Sequence, residues 1–273
     1  MYMRLPYRFD SLYLHGMEQL KMIDKVRGQA LADERVSAVL MYGSFTSGEG
    51  DRYSDIEFYV FLREESGFDK LEWLNGIRPV EMLFTNEFGT DVAVFDNLVR
   101  GEFHFHSISE TGIIHTWEGA LDFRRRDKMS LVDKDGKLAD ELDAVIGITP
   151  DWNTPENAAW VADSLINQLL FTGNVIRRGE YARAAHLFYF IEKYLAQLIR
   201  LQFNTTEHWL DPMKGFEKEI PLDWYVKLSG CLPRLNPDSL RDCFFQALAL
   251  AGELFELLDV PAHNKLILEK IPR

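Results

Sequence analysis

Near residue 150 the spacing of apolar residues changes from short alternating runs to long helical ones. That change constrains the fold more than any other feature of the chain. Before it, SAVLMYGSF, DIEFYVFL, VEMLFTNE, DVAVFD, GEFHFHS and KMSLVDKDG read as strands, with β-branched and aromatic residues bounded by turn formers. Two helices are expected among them. Over residues 11–33, Leu12, Leu14, Met17, Leu20, Ile23 and Val26 fall near one face, and FDKLEWLNGI is a short helix capped by Asp69. The segment ITPDWNTPEN, with two prolines and several turn residues, marks the boundary. Within it Thr154 is placed to cap a helix whose first position is Pro155. Beyond it AAWVADSLINQLLFTGNVIRR, YARAAHLFYFIEKYLAQLIRLQF and SLRDCFFQALALAGELFELLD are long and amphipathic or nearly apolar, with a shorter helix at LDWYVKLSG. The expectation is an α+β chain. Residues 1–150 would form a mixed sheet flanked by helices, and residues 151–273 a helical bundle.

Charge narrows the partners. Thirty Lys+Arg face 43 Asp+Glu, a formal charge of −13, and the only basic cluster is Arg124–Arg126. Binding a polyanion depends on counterion release at a basic face, so no nucleic-acid partner is expected. No apolar run approaches the ~18 residues of a membrane span, and MYMRLPYRFD lacks the apolar core of a signal peptide. A soluble, cytoplasmic protein without a membrane partner is expected. Cys231 and Cys243 have no paired C-x-x-C spacing and read as buried thiols.

The chemistry concentrates in MYGSFTSGEGDRYSDIEFYVF, Met41 to Phe61. Alternate residues of a strand share a face, so Asp55, Glu57 and Tyr59 point one way and Ile56, Phe58 and Val60 the other. Two anions together in a dry site cost several kcal/mol. A divalent cation removes that cost, and Mg²⁺ commonly takes one or two carboxylates plus substrate phosphates. The Gly43-Ser44 turn, separated from Asp55 by ten residues, offers backbone N–H groups and a hydroxyl to a phosphate. The competing reading is an ordinary hairpin whose acids face solvent. Phosphoryl or nucleotidyl transfer also needs a base for the attacking hydroxyl. Asp91, Asp96 and Glu102 are available, and Glu102 is preferred because it opens a well-made strand in which Glu102, His104 and His106 alternate with Phe103 and Phe105. Asp96 reads as a loop cap, and the histidines as acceptor-lining or structural.

MYGSFTSGEGDRYSDIEFYVF, VFDNLVRGEFHF and RRGEYARA resemble the bacterial lincosamide nucleotidyltransferases, the longer type with a helical second domain. That family lies in the polymerase-β-like nucleotidyltransferase superfamily, marked by Gly-Ser followed by Asp-x-Asp/Glu. The likeness runs along most of the chain and is strongest over residues 36–106. It implies an N-terminal nucleotidyltransferase domain that moves AMP from ATP to a hydroxyl of lincomycin or clindamycin, releasing pyrophosphate and inactivating the antibiotic. By position, Asp55 and Glu57 match the metal-binding acids, Gly43 and Ser44 the phosphate-contacting turn, and Glu102 the general base. The family further implies Mg²⁺, a homodimer, and a cation from the helical domain for the triphosphate. Arg178 and Arg183 are weighed equally for that cation; Arg177 is also nearby, and Arg52 and Arg100 are near the acids in sequence. Trp160, Phe188 and Tyr189 read as core. The alternatives are an adenylyltransferase for another acceptor, such as an aminoglycoside or a protein side chain, and a non-catalytic nucleotide-binding partner protein.

Overall fold

The computed structural model describes residues 17–64, 66–117, 126–148 and 150–272. The chain divides into two compact units between Pro150 and Asp151, built on separate apolar cores.

The first unit holds a six-stranded mixed sheet, as expected from the sequence. Its strands are β1 (Val36–Tyr42), β2 (Ile56–Leu62), β3 (Val80–Thr85), β4 (Asp91–Phe95), β5 (Arg100–Ser107) and β6 (Ser130–Asp133), in the order β3-β4-β5-β2-β1-β6. Strands β2 and β5 are parallel and the other neighbours antiparallel. A parallel pair needs a crossover; here it runs through α3 (Lys70–Ile77), β3 and β4.

Alternation sorts the strands' side chains onto two covered faces. On one, Ile56, Phe58, Val60 and Phe103 pack with Met22 and Val26 of α1 (Glu18–Ala32) and with Trp73 and Leu74 of α3. On the other, Leu40, Tyr59 and Phe61 meet Ile114, Met129, Leu138 and Leu142. These come from a 3-10 segment, Ile108–Trp117, and from α4 (Arg126–Met129) and α5 (Lys137–Val145). Asp69 does cap α3, accepting from the Glu72 N–H at 2.9 Å.

Two details differ from the sequence reading. The Gly43-Ser44 turn opens a single helical turn, α2 (Ser44–Ser47), that the sequence reading did not include. Helix α5 was not anticipated, although Leu138, Leu142 and Val145 have the i, i+4, i+7 spacing of a buried stripe. Leu12, Leu14, Arg124 and Arg125 lie outside the described residues.

The second unit is helical: α6 (Pro155–Arg177), α7 (Tyr181–Phe203), α8 (Phe216–Glu219), α9 (Leu222–Ser229), α10 (Pro237–Leu257) and α11 (Ala262–Lys270). Thr154 accepts from the Asn157 N–H at 3.1 Å with Pro155 at the first helical position. Asn236 does the same for α10 through the Ser239 N–H. Leu165, Leu169, Phe188, Ile191, Leu195, Ala247, Leu254 and Phe255 share one core. A Cβ on Gly173 would stand 2.9 Å from the Phe244 ring, so the glycine lets α6 and α10 approach closely. Phe188 is core, but Trp160 and Tyr189 are exposed, a correction to the sequence reading. Tyr189 sits one residue, or ~100° of helix, from Phe188 and falls off the buried stripe. Cys231 and Cys243 are buried and free. Burial pushes the Cys231 thiol up to about 12. Among the described residues no helix is long and apolar enough to cross a membrane.

Candidate active site

Strand β1 ends at Tyr42, and Gly43 turns the chain with φ +77° and ψ −156°, a conformation essentially confined to glycine. A Cβ there would fall on Glu57 Oε2. The turn therefore passes directly against a carboxylate, which any side chain would block. The α2 turn follows and closes on Gly48, whose φ is +86°. The Glu49 and Gly50 N–H groups both return to the Ser44 carbonyl at 2.9 Å. Beyond it Asp51 accepts from the Tyr53 N–H and the Ser54 hydroxyl. Gln19 of α1, buried, donates to the carbonyls of Arg52 and Ser54 at 2.8 and 3.1 Å. These bonds hold the loop that delivers Asp55 to the start of β2.

Sheet register then sets the acids side by side. Glu57 pairs with Tyr42 on one neighbour and with Glu102 on the other. Two residues further along β2, Tyr59 pairs with Leu40 and His104. One face of the sheet thus grades from carboxylates at its open end to aromatic rings. The Tyr59 and His104 rings stack at 4.0 Å and 3°, and Tyr42 tilts against Tyr59 at 5.4 Å. The Tyr42 hydroxyl lies 3.0 Å from His104 Nε2 and 3.3 Å from Glu102 Oε2, linking the ring stack to the acid row. Arg100 closes the open end: Nη1 donates to Asp55 Oδ2 and Nη2 to Glu102 Oε1.

The electrostatics follow from this packing. Burial, reinforced by the neighbouring Glu57 and Glu102 charges, raises the Tyr42 hydroxyl above its ordinary value, so it stays protonated. Tyr59 is raised by burial and by Glu102. Burial lowers His104 to about 4, with His106 adding to the effect, so its imidazole is neutral at physiological pH. A neutral His104 can carry its proton on Nε2 and donate it to the Tyr42 oxygen, leaving the single Tyr42 proton for Glu102 Oε2. His106 instead lies 3.2 Å from Glu110. Ser44 Oγ is buried and has no hydrogen-bond partner among the described residues, an unmet polar group beside the Gly43 turn.

Asp55, Glu57, Glu102, Gly43 and Ser44 therefore gather around one end of β2. The other acids considered for the base are engaged at the surface: Asp91 with Lys70 at 2.6 Å, and Asp96 with Arg78. Arg52 lies over the Tyr53 ring. In the helical unit Arg178 is exposed at the end of α6. Arg183 pairs with Glu180 at 2.9 Å and lies over Phe171, while Arg177 donates to Asn174 and to the Pro272 carbonyl. Among the described residues no three His, Cys, Asp or Glu side chains converge to hold a metal on their own. Tyr42 and Gln19 went unnoticed in the sequence. Tyr42 carried a signal, as the last strand residue before Gly-Ser; Gln19 carried none, since its role depends on which loop α1 meets.

Comparison with known proteins bears on the other half of the chain. Residues 154–271 match the family model described as "Lincosamide nucleotidyltransferase-like, C-terminal domain". No curated protein matches the chain in sequence. Among solved structures, an aminoglycoside 6-adenyltransferase from Bacillus subtilis superposes at TM-score 0.41 with 15% identity, covering 93% of this chain and 96% of that one. A nucleotidyltransferase-like protein from Exiguobacterium sibiricum superposes at TM-score 0.34 with 14% identity, covering 87% and 78%. Neither superposition bears on the site.

Proposed function

We propose that the chain is an adenylyltransferase that moves AMP from ATP to a hydroxyl of a lincosamide such as lincomycin or clindamycin. The observation that carries the reading is the Tyr42–Glu57–Glu102 row with Asp55 beside it and the unpartnered Ser44 hydroxyl at the Gly43 turn. The family match supports the substrate class only by relation, since residues 154–271 include none of the acids.

The residues present fit a magnesium-dependent nucleotide site. A carboxylate pair short of a complete protein-only ligand set suits Mg²⁺, which keeps several positions for water and substrate phosphate oxygens. Asp55 and Glu57 would hold the ion, which when bound with ATP supplies charge neutralisation on the phosphates. Ser44 Oγ donates to a phosphate oxygen, satisfying a group that otherwise remains buried and unmet. Glu102 accepts the proton of the drug hydroxyl as its oxygen attacks the α-phosphorus. The bond from that phosphorus to the bridging oxygen breaks, and pyrophosphate leaves with the electron pair. Tyr42, hydrogen-bonded to Glu102 and His104, fixes the carboxylate's orientation. Positioning supplies much of the acceleration.

The test is transfer of label from α-labelled ATP to a panel of acceptors: lincomycin, clindamycin, an aminoglycoside and a peptide. Label is expected on the lincosamides. Label on the aminoglycoside or peptide alone would retain the chemistry and replace the acceptor. No transfer to any would remove the enzymatic reading.

A further inference from the structure

Arg100 is the one cation bridging the acids of the candidate site among the described residues. Its two terminal nitrogens engage different carboxylates, Nη1 on Asp55 and Nη2 on Glu102. Sequence proximity does not force this arrangement, because Asp55 and Arg100 are 45 residues apart. The parallel pairing of β2 with β5 creates it: Ile56 opposite Gly101 puts Asp55 and Arg100 at the next register position, on the face that carries Glu57 and Glu102. Arg100 thus neutralises part of the charge that Asp55 and Glu102 bring to that end of the sheet.

We propose that the Arg100 guanidinium is the resting counterion of these carboxylates, that a divalent cation displaces it, and that the freed fork then binds the triphosphate. The proposal rests on the reading of Asp55 and Glu57 as the acids that hold the ion. Three observations support the exchange. The Arg100 side chain is 44% exposed, so it leaves through solvent without disturbing the core. Arg100 engages an oxygen of Asp55, a residue that would hold the ion, so ion and guanidinium compete for that carboxylate. A guanidinium is a planar fork of donors with no acceptor, and it matches phosphate as well as it matches carboxylate. On this account the first unit contains its own phosphate-binding cation, the role the sequence suggested for Arg178 or Arg183.

Competition of this kind has a distinctive sign, because removing a cation from an acidic site should improve metal binding. The test uses the full-length chain, with Mn²⁺ as probe, titrated without nucleotide by electron paramagnetic resonance. Wild type is compared with Arg100→Gln, Arg100→Lys and Asp55→Asn. Arg100→Gln is expected to bind Mn²⁺ about tenfold tighter, the scale of one charged hydrogen-bonded pair. Arg100→Lys should fall between it and wild type, since an ammonium is a point charge without the fork. Thermal unfolding should show Arg100→Gln gaining more from Mn²⁺ than wild type does. With Mn²⁺ saturating, Arg100→Gln should bind ATP about tenfold more weakly.

Equal or weaker Mn²⁺ binding in Arg100→Gln, with wild type still binding in an Asp55-dependent way, overturns the exchange and leaves the metal site standing. Tighter Mn²⁺ with unchanged ATP affinity overturns the move to the phosphates. Absence of Mn²⁺ binding in wild type and Arg100→Gln alike removes the metal reading and this proposal with it. Arg100→Lys guards against misfolding of the neutral variant, since it keeps the charge.

Discussion

Replacing Gly43 with alanine tests the link between the turn and the acid row. At φ +77° and ψ −156° a residue with a Cβ carries backbone strain of about 1–3 kcal/mol. The added methyl would also fall on Glu57 Oε2, so the carboxylate has to move. For a unit of this size the strain alone lowers the thermal midpoint by about 3–12 °C. A carboxylate shifted by ~1 Å reduces turnover by ~100-fold. Gly28→Ala is the built-in control. Gly28 lies within α1 with nothing inside 4 Å of where a Cβ would stand. The same substitution there should raise stability by about 0.5–1 kcal/mol, because alanine is the better helix former and restricts the unfolded chain. Circular-dichroism melts of both variants, with steady-state adenylyl transfer, provide the assay. A Gly43→Ala protein with wild-type midpoint and wild-type turnover would refute the reasoning.

Other outcomes follow from the same geometry. Glu102→Gln should lose about 10²–10⁴-fold in turnover while still binding ATP, measured by isothermal titration, since the proton acceptor is removed while Asp55 and Glu57, the acids assigned to the ion, are kept. Asp55→Asn and Glu57→Gln should instead weaken metal-dependent ATP binding; wild-type binding and rate in either would remove that residue from the mechanism. Tyr42→Phe takes the hydroxyl from His104 and Glu102, leaving partly buried polar groups unmet at a cost of about 1–3 kcal/mol. Its kcat should fall more than its KM rises, while a change confined to KM would deny Tyr42 its orienting role. Burial raises Glu192 to about 7, above its unfolded value, so the native state favours the protonated acid. Wild type should therefore gain stability as pH falls through about 7 towards the ordinary glutamate value. Glu192→Gln should be the more stable protein above pH 7, with the difference shrinking as pH falls; chemical denaturation at pH 8 and pH 5 checks the sign.

Much of this arrangement was legible in the residues, and its limits are physical. Period-2 alternation put Asp55, Glu57 and Tyr59 on one face and Glu102, His104 and His106 on one face, because side-chain direction in a strand is a local property. Thr154-Pro155 announced α6 for a similarly local reason, a cap oxygen and a missing N–H at one helix end. Strand order is not local. Nothing in DIEFYVF and GEFHFHS says that they lie parallel and adjacent, with Glu57 opposite Glu102, and the Arg100 bridge depends entirely on that pairing. Gln19 shows the same limit: its bonds to the Arg52 and Ser54 carbonyls exist only because α1 packs beneath that loop. The exposure of Tyr189 was hidden for another reason. On a helix whose residues are apolar over most of its surface, composition cannot say which side meets the core.

The central claim is adenylyl transfer to a lincosamide, and the product itself tests it most directly. Purified protein incubated with ATP, Mg²⁺ and lincomycin should yield, by mass spectrometry, drug heavier by one AMP, with the adduct absent when EDTA is present. Unmodified lincomycin, from protein shown in the same sample to bind Mg-ATP, would contradict the claim.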